Sequence, residues 1–229
     1  MNNLLQSDSL PVVLTLGAFW VGTLCQKKWK SAILNPILIG MAIVVVFLLT
    51  TGMDPAVYKA GTARLSWLMT PATISLAIPM YEKLQVLKKN GVAVAAGAIA
   101  GALTCILTLM AAGIFLYMDK TILISIMPKS VTAAIGVVLS DMNGGIGAVS
   151  TISIVITGVT ANVLGVKLCQ LFGITDPVAK GVAFGTSGHV IGTTKATEVS
   201  PLVGAVSSLS LVVAGLLTAL IFPSMAGLV

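Results

Sequence analysis

Runs of about 18 or more apolar residues follow one another along almost the whole chain, and each is long enough to carry a helix across roughly 30 Å of hydrocarbon. Hydrocarbon offers no partner to a peptide group, so such a chain satisfies its backbone internally, as helices packed on helices. Only 9% of the 229 residues are charged, against about a quarter in soluble domains. The chain therefore reads as an all-α polytopic integral membrane protein, residues 1–229 forming a single domain without a soluble part. Thirteen Lys+Arg against seven Asp+Glu leave a net charge of +6. The lysines sit in short clusters between apolar runs, where they set topology; the expected partner is the lipid bilayer, and no nucleic acid is expected. Cys25, Cys105 and Cys169 are far apart with no metal-ligand spacing and read as packing residues. Residues 1–10 have no basic leader, so the first apolar run is expected to stay as an anchor.

Six segments read as helices that cross: 10–26, 32–51, 63–82, 91–117, 146–171 and 202–226. Segments 127–143 and 178–197 either span or re-enter, which gives six to eight transmembrane helices. Basic clusters at Lys27, Lys28 and Lys30, and at Lys83, Lys88 and Lys89, fall on one predicted side and place the N-terminus outside. Beyond residue 117 the pattern fails: Lys120, Lys129, Lys167, Lys180 and Lys195 do not segregate under eight spans. Pro71 and Pro79 predict a broken or bent segment 63–82. Gly91, Gly97, Gly101 and Gly113 with their alanines predict a helix that packs closely. A proline-led start (Asn35-Pro36, Met127-Pro128) precedes a broken polar segment (70–79, 185–195) in each half. That echo suggests an inverted repeat of transporter-like type, with broken or re-entrant helices.

The polar residues concentrate in three places. Gly185-Thr186-Ser187-Gly188-His189-Val190-Ile191-Gly192-Thr193-Thr194-Lys195 holds the only histidine. Glycine-loosened backbone at membrane depth survives only when buried in protein or lining a wet cavity. His189 reads as an anion contact, a proton carrier, or a neutral ring satisfied by a carbonyl. Thr186, Ser187, Gly188 and Thr193 either bind substrate or serve their own helix. Lys129 follows Pro128 at a predicted helix start, where the dipole disfavours a cation and an anion would resolve the conflict. Ser130 and Thr132 add donors there; the alternative is a lysine that snorkels to the headgroups. Thr70, Ala72 and Thr73 around Pro71 offer a second helix N-terminus, or an ordinary proline kink. Lys195 and Glu198 are spaced for a helical ion pair. The chain has no nucleophile elbow, no His-Glu-x-x-His, no P-loop and no paired carboxylates. We therefore expect no enzyme, no cofactor and no metal, and any transport to be gradient-driven.

Pro71-Ala72-Thr73, Ile78-Pro79-Met80-Tyr81, Pro128-Lys129-Ser130-Val131-Thr132, Gly144-Gly145, Asp176-Pro177, Gly185-Thr186, His189, Ile191-Gly192-Thr193 and Glu198 together resemble the LrgB/CidB family, over about residues 10–226. The sequence departs from the family pattern at Ala133-Ala134, at Gly188 and at Lys195. The resemblance implies a multi-pass protein of the bacterial cytoplasmic membrane, named antiholin-like or holin-like and tied to murein hydrolase activity and programmed lysis. It implies a small LrgA/CidA-like membrane partner. Plastid relatives exchange glycolate and glycerate, and bacterial members are linked to pyruvate uptake. Two functions follow as expectations. One is a secondary transporter of small monocarboxylates such as pyruvate, lactate or glycolate, binding the anion through Lys129, Ser130, Thr132, Thr186, Ser187, Gly188, His189, Thr193, Thr70, Ala72 and Thr73. The other is a non-transporting regulator acting with the small partner. Small-residue helix faces also suit a homodimer.

Overall fold

The computed structural model describes residues 9–29, 36–68, 71, 74, 77–82 and 84–229. Regular structure among the described residues is entirely helical, and four helices are long and apolar enough to cross a membrane. The chain divides into two compact units, Met1–Ser75 and Leu76–Val229.

The first unit contains α1 (Leu10–Trp29), α2 (Pro36–Thr51), α3 (Pro55–Gly61) and α4 (Ala63–Trp67). Pro36 is the first residue of α2, where its missing N–H costs nothing. Gly22 lets α1 approach that proline, since a Cβ there would lie 2.6 Å from the Pro36 carbonyl oxygen. Asp54 caps α3 by accepting from the Ala56 N–H at 2.8 Å. Thr15 and Tyr58 share a hydroxyl–hydroxyl bond of 2.6 Å that ties α1 to α3. In segment 63–82, α4 ends at Trp67 and helix is next assigned over Ala77–Glu82; the break expected at Pro71 falls on the stretch 69–76, most of which lies outside the described residues.

The second unit contains α5 (Ala77–Glu82), α6 (Leu84–Lys89), α7 (Gly91–Phe115), α8 (Lys120–Ile126), α9 (Ala133–Met142), α10 (Gly147–Leu171), α11 (Pro177–Val199) and α12 (Pro201–Ala226). The three long apolar helices α7, α10 and α12 are the frame. α7 and α12 run in parallel, because Val94 clusters with Val206 at one end and Ile106 clusters with Phe222 nearer the other.

α11 folds back on itself. His189 sits at φ 42°, ψ −140°, a conformation that costs a residue with a Cβ. Eight residues of straight helix span about 12 Å, yet a Cβ on Gly192 would lie 2.9 Å from the Phe184 carbonyl oxygen. Both arms lie along α12 in opposite senses. On the first arm Gly181 meets Val206 and Gly185 meets Ser207 and Ser210. On the second, Thr193 bonds Ser207 and Thr197 meets Gly204. A Cβ on Gly181 would come within 2.6 Å of the Val206 Cβ, so glycine sets how closely the arm seats. The two arms of 178–197 thus form a hairpin rather than one straight helix.

The segment around 127–143 is a second hairpin. α9 has 10 residues, about 15 Å of helix, half of what a crossing needs. The Ile146 N–H donates to Ser125 Oγ and Ser150 Oγ to the Ser125 carbonyl, both at 2.7 Å, which seats α8 beside the start of α10. Gly136 faces the Pro128 carbonyl, so α9 returns alongside the turn it left. Gly144, at φ 87°, makes the turn from α9 into α10.

The hairpins enter from opposite ends. α11 packs where α7 and α12 begin, with Val182 against Gly97. α8 packs where they finish, with Leu123 against Gly113 and in one cluster with Phe222 and Ala226. Their tips meet beside Ala102 and Cys105 of α7 and Ala214 and Thr218 of α12, close to the middle of both helices.

Candidate functional site

The tip of the first hairpin is the turn Met127–Thr132. The Lys129 N–H donates to the Ile126 carbonyl at 3.1 Å, so the lysine extends the C-terminal end of α8 rather than opening a helix. A cation is favoured at that end. This corrects the expected conflict with the dipole, which assumed a helix starting at Pro128. The following helix starts at Ala133 with Thr132 as its N-cap residue, extended at φ −65°, ψ 150°, its hydroxyl making no capping bond. The first N–H groups of α9 therefore have no intrahelical or capping partner.

Lys129 is half-buried. Its Nζ lies 3.4 Å from Ser130 Oγ and 3.7 Å from Cys105 Sγ, and those two atoms are 3.1 Å apart. No described carboxylate pairs with it. An ion pair joins Lys195 and Glu198 at 2.7 Å, partly exposed near the base of the second hairpin, at the spacing the sequence predicts.

Ser130 and Cys105 line a small cavity with Ala102, Pro128, Thr186 and Thr218. Its water-accessible space is about 10 Å³, close to what one water molecule needs. Thr186 reaches it from the second hairpin, its hydroxyl donating to the Val182 carbonyl at 2.8 Å and keeping acceptor capacity free. Lys129, Ser130 and Thr186 thus converge from two hairpins entering from opposite ends, and Thr132 adjoins them in the turn.

The other residues of the second tip have different surroundings. His189 is 3% exposed, and its Nε2 lies 2.8 Å from the Ile154 carbonyl of α10. A carbonyl only accepts, so Nε2 is the nitrogen that carries hydrogen. The ring lies against Gly158, where a Cβ would come within 2.5 Å of Cε1. This is the carbonyl-satisfied arrangement, one of the three alternatives for His189. Thr193 donates to the His189 carbonyl at 2.9 Å and bonds Ser207 Oγ at 2.8 Å, which fixes the turn to α12. Gly188 seats against Ala161. Ser187 is exposed, bonds the Ala183 carbonyl at 2.6 Å and lines a separate apolar groove with Phe172 and Phe184. Thr70, Ala72 and Thr73 lie outside the described residues.

Sequence reasoning missed two residues of the cavity. Cys105 passed as packing, and Thr218 was hidden inside an apolar run. A signal did exist for Thr218: Ser207, Ala214 and Thr218 repeat at intervals of seven and four, one face of a helix.

The LrgB-like family matches this chain over residues 15–228. The antiholin-like protein LrgB of Bacillus subtilis (strain 168) is 34% identical over 215 residues, covering 93% of this chain and 92% of that protein. No solved structure matches. With a family match across almost its full length and a relative of that identity and coverage, this multi-pass membrane chain belongs to the LrgB-like family.

Proposed function

We propose that this antiholin-like family member is a gradient-driven transporter of small monocarboxylates of the pyruvate, lactate or glycolate kind. One observation carries the reading: a half-buried lysine with no described carboxylate partner stands where two hairpin tips meet, midway along the long helices. A cation held at that depth is costly unless it is paired, which makes it a functional residue by default. A carboxylate would accept from Lys129 and Ser130, near the free N–H groups that open α9. Hairpins entering from opposite ends suit an inverted repeat and alternating access. The cavity now fits about one water, so a three-carbon acid enters when the tips part.

In this reading residues 1–229 work as one non-enzymatic domain of six to eight membrane-inserted segments in the bacterial cytoplasmic membrane. The second reading is an antiholin-like role, for which the name of the B. subtilis relative is the support; a small LrgA/CidA-like partner or a homodimer would be its working assembly.

The test is uptake of labelled pyruvate, lactate and glycolate into proteoliposomes. Wild type carries at least one of them, and Lys129→Ala loses on the order of a hundredfold, the worth of a hydrogen bond to a charged group. Equal flux in both proteins overturns the site. No flux for any acid, together with co-purification of a small membrane protein, favours the second reading.

A further inference from the structure

Threonine and serine in the middle of a helix usually return their hydroxyl to the carbonyl four residues back, and this chain follows the habit closely. Thr186 donates to Val182, Ser187 to Ala183, Thr193 to His189 and Ser208 to Gly204. Thr218 does not. It is 4% exposed in the middle of α12 and lines the cavity between the tips, and no such return bond to the Ala214 carbonyl is found among the described residues. Ser140 and Ser210 have unpartnered hydroxyls, but they are sealed in helix packing and neither lines this cavity. The Thr218 hydroxyl is not sealed in that way: it borders a space that a ligand could share, and it can both donate and accept there.

Resting on the transport reading above, we infer that Thr218 is the residue that recognises an oxygen on carbon 2 of the transported acid. Lys129 and Ser130 come from the turn Met127–Thr132, whereas Thr218 comes from α12, so the two sets approach a bound acid from different elements. A carboxylate held by the first set presents its next carbon to the rest of the cavity. A threonine hydroxyl donates to a keto oxygen and accepts from a hydroxyl, which fits 2-oxo and 2-hydroxy acids alike. It gives nothing to a methylene. Thr218 therefore selects pyruvate-like and lactate-like anions over propionate.

The experiment compares wild type, Thr218→Val and Thr218→Ser in proteoliposomes, reading inhibition of labelled pyruvate uptake by unlabelled pyruvate, lactate and propionate. Ligand-induced thermal stabilisation of the purified proteins is measured in parallel. Valine keeps the shape and removes the hydroxyl, so apparent affinity for pyruvate and lactate falls roughly five- to tenfold while that for propionate is unchanged. Serine restores the preference. If wild type prefers 2-oxygenated acids and Thr218→Val keeps the same preference, this inference falls and the transport reading stands. If wild type neither moves nor is stabilised by any of the acids, both fall together.

Discussion

The two hairpins solve the same problem with opposite means. The first turns through six residues, Met127–Thr132, opened by a proline and left with an unpaired lysine, a free N-cap hydroxyl and the bare start of α9. The second turns at a single residue, His189, whose left-handed backbone is over-determined by the Ile154 carbonyl, by Thr193 and by the seat at Gly158. One tip presents groups and the other is locked. A polar residue at membrane depth is thus not automatically a contact for substrate; its hydrogen bonds decide.

That contrast can be broken from either side. The largest effect belongs to the presenting tip: Lys129→Ala removes flux while leaving the thermal midpoint in detergent nearly unchanged. A comparable loss of stability would mean that the lysine supports the fold. Gly158→Val is expected to do the reverse, driving a side chain into the His189 ring. Overpacking of this kind costs about 1–3 kcal/mol, read as a lowered melting temperature; an unchanged midpoint would show that the second tip is not locked.

His189→Gly sharpens the point further. Glycine takes φ 42° freely but gives up the bond to Ile154, and the two effects, each about 1 kcal/mol, oppose one another. His189→Leu keeps the strain and loses the bond, so it is the less stable variant by about 1 kcal/mol or more. Equal stability of the two would remove backbone strain from the account. Lys195→Ala is the smallest change: an exposed ion pair contributes about 0–1 kcal/mol, and flux and melting should both stay at wild-type values.

The class of fold was legible because apolar runs leave a chain few options, and the interruption around 185–195 was legible because glycine and hydroxyl residues stand out in hydrocarbon. The reversal at His189 was not. A 23-residue helix and a hairpin of the same residues have the same composition, and the difference lies in one pair of dihedral angles. That single ambiguity also hid the charge pattern. With α11 and α8–α9 as hairpins, Lys167, Lys180 and Lys195 gather at the end where α7 begins, beside Lys88 and Lys89, and Lys120 stands at the other. The lysines that fail to segregate under eight full spans do so once two of them are halved. Lys129 belongs to neither end.

Because each hairpin stops near the middle of the long helices, the insulating layer is divided into two thin halves with a polar seam between them. A membrane potential drops across both. An anion that travels from either face to Lys129 crosses roughly half of it, about 1 kcal/mol for one charge at 100 mV. On the proposed transport reading, voltage would therefore act on arrival and on departure of the anion separately.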